Sequence, residues 1–144
     1  CSSDLKIECA GAAGKLRDLI KEGGDAIEGP FDGEEGITLM ADLYAGATGS
    51  MTSATIPDLI KPILSHFADG DFATAEAIYR DLLPLINFEN RQCGFRSSKA
   101  AMQEGGVIKS DFCRHPIQPL HPDTRTQLIA MLRALDPVVL RWGK

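Results

Sequence analysis

Apolar and polar residues alternate along the first half of the chain with two different periods. Around Ile7 the apolar positions recur at every second residue, which is typical of a β-strand. Further on, Leu16, Leu19 and Ile20 follow the i, i+3, i+4 spacing of an amphipathic helix. The same strand–helix pattern returns twice before residue 70. The predicted strands span residues 5–9, 25–31 and 48–52.

These predicted strands are evenly spaced. Lys6 and Glu28 are 22 residues apart, and Glu28 and Ser50 are again 22 residues apart. Repeated units of this length predict parallel strands joined by helical crossovers, the arrangement of an α/β fold. After residue 70 the alternation ends, and the rest of the chain is predicted to be helical. We therefore predict two regions, βα units over 1–70 and a helical region over 71–144.

The first strand carries two ionisable residues, Lys6 and Glu8. Because side chains alternate along a strand, both are predicted to point to the same face. A lysine desolvated at a strand end can lose its proton and attack a carbonyl, and a nearby carboxylate can transfer the protons that such chemistry needs. The alternative is a lysine that protects the edge of a sheet from unwanted pairing.

Other residues suggest weaker candidate sites. Gly29 and Ser50 lie near the carboxyl ends of the second and third strands, where parallel α/β folds bind ligands. Their glycine-containing turns match neither a P-loop nor a dinucleotide fingerprint, so ordinary βα turns are the alternative. His115 and His121 each precede a proline in a loop without a third ligand nearby, so we expect no metal site.

Composition narrows the function classes. The net charge is −5 and the basic residues are scattered, which argues against a nucleic-acid partner. No apolar stretch approaches the roughly 18 residues of a membrane span, so we expect no membrane partner. The four cysteines form no C-x-x-C pair and are expected to be reduced, which favours the cytoplasm.

The chain begins at Cys1 rather than at a methionine. One interpretation is a lipoprotein whose signal peptide has been removed, and the other is a fragment of a longer protein. A lipidated terminus is normally followed by a flexible polar tether, whereas a strand is predicted here within a few residues. We therefore expect a fragment.

Several phrases of the sequence resemble the dihydrodipicolinate synthase / N-acetylneuraminate lyase family. The segment around Lys6 is similar to the family's sixth strand with its Schiff-base lysine, and Gly29 follows at the family's spacing. The run Gly-Ala-Thr-Gly-Ser-Met-Thr, which contains Ser50 and Met51, resembles the eighth strand. Residues 70–85 resemble the ninth helix. One departure is that the acidic residue expected directly after the lysine is replaced by Ile7, and Glu8 follows.

The resemblance implies the C-terminal part of a TIM (β/α)8 barrel, with about three βα units followed by a C-terminal helical bundle. It implies Lys6 and Glu8 as catalytic residues and Gly29, Ser50 and Met51 as substrate-binding residues. The reaction implied is Schiff-base dehydration of a 2-keto-3-deoxy sugar acid, because longer phrases such as Glu-Gly-Pro-Phe-Asp-Gly-Glu-Glu resemble a pentose-pathway dehydratase branch.

The alternatives are a class I aldolase or synthase that acts on pyruvate and an inactive interaction module. No cofactor is expected beyond the covalent Schiff base, and a homo-oligomer, a tetramer by resemblance, is expected. By itself this half-barrel is expected to be inactive and prone to associate, because it leaves strand edges unpaired.

Overall fold

The structure is a computed structural model that describes the backbone of residues 6–9 and all atoms of residues 12–144. Among these residues, three parallel strands form one sheet in the order β1-β2-β3. The α/β class with parallel strands is therefore confirmed. The strands are β1 (Lys6–Cys9), β2 (Glu28–Asp32) and β3 (Gly49–Ser50).

Helices connect and follow these strands. Helix α1 follows β1, a shorter helix α2 follows β2, and α3 follows β3, in agreement with the predicted strand–helix pattern. The remaining helices all lie in the C-terminal half. Their bounds are α1 (Ala13–Gly23), α2 (Leu39–Tyr44), α3 (Pro57–Ala68), α4 (Phe72–Phe88), α5 (Arg96–Glu104) and α6 (Pro122–Leu135), with a π-helix at Glu89–Cys93 and 3-10 turns at Gly24–Ala26 and Val138–Leu140.

The chain divides into two compact units. The first unit comprises residues 1–52 and 60–81, and the second comprises residues 53–59 and 82–144. The predicted division into a barrel region over 1–70 and a helical region over 71–144 stays a prediction. None of the helices in the described part of the chain is both long and apolar enough to cross a membrane.

In the first unit, α2 packs against both β2 and α1. The apolar side chains that α1 and α2 bury include Leu16, Leu39 and Leu43. Burying a side chain of this size removes apolar surface from water and stabilises the folded state by roughly 1.5–3 kcal/mol. The helical period predicts Tyr44 in the apolar stripe, but this side chain is 50% exposed, and Leu39 occupies the core instead.

The second unit is helical. Helix α5 packs against α6, the π-helix and the turn Val138–Leu140. The buried residues of the second unit include Leu128 and Leu132 of α6 and Val139 of the turn. Leu128 and Leu132 are four residues apart, the spacing expected for a helix that packs on one face. The polar segment 87–91, for which the sequence predicts a connector, instead completes α4 and begins the π-helix.

The register confirms part of the predicted strand spacing. Lys6 of β1 pairs with Glu28 of β2, 22 residues further on. Ser50, however, pairs with Asp32 rather than with Glu28, because β2 continues through Pro30 to Asp32. The sequence predicts Asp32 as the cap of the following helix, and this prediction is wrong. Helix α2 begins at Leu39, and Asp32 is the last residue of the strand.

Candidate active site

Two rows of residues cross the sheet where the strands end. The Phe31 row consists of Glu8, Phe31 and Gly49, which are register partners on β1, β2 and β3. The Asp32 row consists of their chain neighbours Cys9, Asp32 and Ser50. Because successive residues of a strand face opposite sides, the two rows belong to opposite faces of the sheet. Each face can therefore be considered separately.

The predicted catalytic residues lie on β1. Lys6 pairs with Glu28 and Glu8 pairs with Phe31, so β2 has one more residue than β1 between these two pairs. Such a bulge bends a strand and re-aims its side chains, and bulges are frequent next to active sites. The side chains of Lys6 and Glu8 lie outside the described part of the structure. Their catalytic roles stay predictions.

On one face, the ring of Phe31 lies between two glycines. A Cβ atom built on Gly49 would be 2.6 Å from Cδ1 of this ring, and one built on Gly29 would be 3.3 Å from its Cδ2. The first distance is too short for any side chain, so the ring takes the space that the missing Cβ leaves. Gly29 also has a positive φ of 107°, which favours glycine. The Phe31 side chain is half-buried.

On the other face, Asp32 is fully buried, with 0% exposure. The Ser50 hydroxyl donates a hydrogen bond to Oδ2 of Asp32 over 2.7 Å. The Thr38 hydroxyl lies 3.4 Å from Oδ1 of Asp32 and donates to Oδ2 of Asp42 over 2.8 Å. These bonds connect the ends of β2 and β3 to the start of α2, so a buried polar cluster closes this face.

A second carboxyl, that of Asp42, is buried near Asp32. Asp42 is only 1% exposed, and its Oδ2 accepts a hydrogen bond from the Thr38 hydroxyl. Burial raises the pKa of Asp32 above its ordinary value, the Asp42 carboxyl raises it further, and the bond from Ser50 opposes both effects. The pKa of Tyr79 is also raised, first by burial and then by the charges of Asp32 and Asp42.

The predicted substrate-binding residues surround these rows. Gly29 lies two residues before Phe31. The Ser50 hydroxyl already donates its proton to Asp32, so toward any ligand it can act only as an acceptor. Met51 is 52% exposed, and its N–H bonds to the Asp32 carbonyl over 2.8 Å. Their contacts with a substrate stay predictions.

Sequence reasoning missed Phe31 and Asp32 as members of the site. A signal was present for both, because alternation that continues past Pro30 puts Phe31 and Asp32 on opposite faces. The proline suggests the end of the strand, although edge positions and bulges accommodate it.

The second unit holds its own buried polar group. The Ser53 hydroxyl lies 3.3 Å from Oε2 of Glu89, which is 2% exposed on the π-helix, and it is hydrogen-bonded to the Thr55 hydroxyl. The sequence suggests a solvated residue or a packing contact for Glu89, and its burial excludes the solvated alternative. Burial, together with the charge of Glu89, raises the pKa of Cys93 to about 11, so this thiol is unreactive at neutral pH.

A pocket of about 380 Å³ also lies in the second unit, beside the loop that contains His115. The pocket is lined by Arg96, Ser110, Asp111, Phe112, Cys113, Ile117, Pro119 and Leu120.

His121, predicted as a loop residue, precedes α6 and accepts a hydrogen bond from the Asp123 N–H over 3.2 Å. Among the residues that the structure describes, no group of three or more acidic, histidine or cysteine side chains is placed to hold a metal ion.

Comparison with known proteins places this sheet in a family. The chain is 61% identical, over 96% of its length, to the L-2-keto-3-deoxyarabonate dehydratase of Azospirillum brasilense, of which it covers 45%. It is 31% identical, over 88% of its length, to a 4-hydroxy-tetrahydrodipicolinate synthase of Syntrophobacter fumaroxidans, of which it covers 44%. The chain thus spans about half the length of the curated relatives it matches.

Solved structures give the same fold. The crystal structure of dihydrodipicolinate synthase from Aquifex aeolicus matches 94% of the chain with a TM-score of 0.83 at 18% identity, and 46% of that protein is covered. A model of the dihydrodipicolinate synthetase family matches residues 8–135. The chain therefore belongs to the dihydrodipicolinate synthetase family.

Proposed function

We propose that this chain is part of a lyase that dehydrates 2-dehydro-3-deoxy-L-arabinonate to 2,5-dioxopentanoate through a Schiff base. The observation that carries this proposal is the 61% identity, across 96% of the chain, to a protein named for the dehydration of this sugar acid. In the whole enzyme, β1, β2 and β3 supply the last strands of a closed (β/α)8 barrel, and the helices after residue 70 form a C-terminal bundle.

The reaction begins at Lys6. Its neutral amine attacks the C2 ketone of the substrate, and loss of water gives an iminium ion bonded to the lysine. The positive charge on nitrogen draws electrons from the C2–C3 bond, so a proton on C3 becomes acidic. A base can then remove that proton and form an enamine.

Glu8 is the proposed base and acid. It takes the C3 proton and returns a proton to the C4 hydroxyl, which leaves as water while a C3–C4 double bond forms. Transfer of a proton from C5 to C3 then produces an enol at C4–C5, which tautomerises to an aldehyde. Hydrolysis of the imine releases 2,5-dioxopentanoate and regenerates the Lys6 amine, so one molecule of water is lost overall.

Other parts of the proposal rest on the family. Gly29, Ser50 and Met51 line the substrate site at the strand ends, and the covalent link to Lys6 replaces a separate cofactor. The enzyme is proposed to be a cytoplasmic homo-oligomer, a tetramer by resemblance. The sequence match to 4-hydroxy-tetrahydrodipicolinate synthases supports a second candidate, a class I aldolase or synthase that joins pyruvate to an aldehyde from the same enamine.

Borohydride trapping tests the proposal. The 144-residue chain is studied beside a hybrid enzyme, in which the chain is joined to the part of the A. brasilense dehydratase that it does not match. With 2-dehydro-3-deoxy-L-arabinonate, we expect a reduced adduct on Lys6 of the hybrid enzyme, located by peptide mass spectrometry, and formation of 2,5-dioxopentanoate. The chain alone is expected to form neither.

Two variants provide the controls. Lys6→Ala should abolish both the adduct and turnover, whereas Glu8→Gln should still form the adduct but lose turnover by roughly 10²–10⁴-fold. An adduct on a different lysine would refute the nucleophile assignment. Release of pyruvate instead of the dioxo acid would establish the aldolase candidate, and an unchanged biological role for the Lys6→Ala protein would favour an interaction module.

A further inference from the structure

We propose that Phe31 is a positioning residue of the active site, which forms an apolar wall beside the catalytic acid–base residue at position 8. This inference rests on the proposed function, because it assigns Phe31 to the Schiff-base site of Lys6 and Glu8. It adds a residue to which neither the sequence pattern nor the family resemblance assigns a role.

The first support is the register. Phe31 is the direct partner of Glu8 in the parallel pairing of β1 and β2, and partners in a sheet share a face. Neighbouring strands are about 4.8 Å apart. A phenyl ring at position 31 is therefore next to the position that carries the proposed acid and base.

The second support is how the ring is held. Its Cδ1–Cε1 edge occupies space where a Cβ on Gly49 would lie at 2.6–2.7 Å, and its Cδ2–Cε2 edge faces Gly29 at 3.3 Å. Glycine on two sides thus leaves room for the ring against the sheet, and the side chain is half-buried.

The third support is the contrast with the opposite face. There, Asp32 and Ser50 are hydrogen-bonded to each other and covered by Thr38 and Asp42. The polar side chains of β2 and β3 at this edge are thus on the face away from Phe31. Position 8 therefore has the apolar residue Phe31 as its register partner on β2, and Gly49 continues the row on β3.

This surrounding has a chemical consequence. Apolar contact removes water from a carboxyl and disfavours its charged form, so the pKa of the carboxyl rises. A carboxyl that acts first as base and then as acid works best with a pKa near the working pH. Phe31 would bring the acid–base residue toward that range and also shield the enamine from water.

The pH dependence of the hybrid enzyme tests this role. We expect Phe31→Ala to shift the acidic limb of the kcat/KM profile to lower pH by about one unit, because the carboxyl regains water. At pH 7 kcat should fall by at most about tenfold with a smaller change in KM, since a stronger acid is a weaker base toward C3. Phe31→Leu keeps an apolar wall and should retain most of the wild-type profile.

Phe67→Ala is the matched control. Phe67 is another half-buried phenylalanine of the first unit, and it packs in a ring cluster with Tyr44 and Phe72 at centroid distances of 5.1 and 4.9 Å. Its removal should lower thermal stability to an extent comparable with Phe31→Ala while leaving the acidic limb unchanged. If Phe31→Ala does not fold, Gly49→Ala pushes the ring from its place and should shift the limb in the same direction.

The outcomes separate this inference from the proposed function. Failure of the wild-type hybrid to form the Lys6 adduct would refute the proposed function and this inference with it. If the wild-type hybrid and its Phe31→Ala and Gly49→Ala variants all form the Lys6 adduct but neither variant shifts the acidic limb, the role of Phe31 alone is refuted. Equal shifts in Phe31→Ala and Phe67→Ala would also refute it, because the effect would then follow general destabilisation.

Discussion

The two faces of the same strand ends differ in almost every property. The Phe31 row presents an aromatic ring between two glycines and leaves that ring half-buried. The Asp32 row presents a carboxyl that is fully buried and hydrogen-bonded to Ser50. One residue along the chain separates an open apolar surface from a closed polar cluster, because side chains alternate along a strand.

The difference shows how the chain divides two tasks between adjacent residues. The polar cluster fixes the ends of β2 and β3 to the start of α2 through side-chain hydrogen bonds from Ser50 and Thr38. On the opposite face, the described residues of the Phe31 row are a phenylalanine and a glycine, whose side chains form no hydrogen bonds. Stability should therefore depend mainly on Asp32 and its hydrogen bonds, and the chemistry mainly on the Phe31 row. Ser50 contributes to the first through its proton and, in the proposed site, to the second only as an acceptor.

The largest expected effect on stability is that of Asp32→Ala. The change leaves the Ser50 hydroxyl without its buried acceptor and removes the second contact of the Thr38 hydroxyl. Unsatisfied buried polar groups cost about 1–3 kcal/mol each, so the free energy of unfolding of the hybrid enzyme should fall by roughly 3 kcal/mol. Urea unfolding measures this loss.

Asp32→Asn is the control for that prediction. The amide has nearly the shape of the carboxyl and accepts from Ser50 through its oxygen. It should retain most of the stability that Asp32→Ala loses. Equal losses in the two variants would contradict the hydrogen-bond explanation.

A smaller effect is expected on the other face, from Gly49→Ala. The new Cβ would lie 2.6 Å from the Phe31 ring, which must move off the sheet surface. Overpacking of this kind costs about 1–3 kcal/mol. Adding Phe31→Leu should restore part of the loss, because a leucine leaves room for the methyl group.

A double-mutant cycle by urea unfolding of the hybrid enzyme measures this coupling. The matched pair is Gly49→Ala with Phe67→Leu, in which the second change lies in the separate ring cluster. That pair should be additive within a few tenths of a kcal/mol. If the changes in unfolding free energy of Gly49→Ala and Phe31→Leu were also additive, the ring and a Cβ at position 49 would not compete for the same space.

Much of the fold could be predicted from local patterns in the sequence. The alternation around Ile7 located β1, the spacing of Leu16 and Leu19 located α1, and the 22-residue interval placed Lys6 beside Glu28. Each of these depends only on periodicity within one element or on regular spacing between elements. These patterns are present in the sequence because each element must bury an apolar face.

The buried polar cluster could not be predicted in the same way. The side-chain partners of Asp32 are Thr38 and Ser50, and Ser50 is 18 residues away along the chain, so only the folded sheet brings Ser50 and Asp32 together. Local rules treat an aspartate before glycine as a turn or helix cap. The same local rules place Glu89 in a connector, since its burial comes from the tertiary packing of the π-helix with α5 and α6.

The smallest expected effect concerns the pH dependence of stability. The folded-state pKa of Asp32 is raised, so above the ordinary value of 3.8 the native state retains a proton that the unfolded chain has lost. The slope of the unfolding free energy with pH is then negative, and this contribution to stability falls as pH rises toward the folded-state pKa. Asp32→Asn removes the titrating group and with it this slope.

The difference in unfolding free energy, Asp32→Asn minus wild type, should therefore increase as pH rises above 3.8, and urea unfolding between pH 4 and pH 8 would measure it. Asp42→Asn should reduce the slope without abolishing it, because burial, the largest cause of the raised pKa of Asp32, remains while the charge of Asp42 is removed. Phe31→Leu, on the opposite face, should retain the wild-type slope in this test. A constant difference between Asp32→Asn and wild type at every pH would mean that Asp32 ionises as readily in the folded protein as in the unfolded chain.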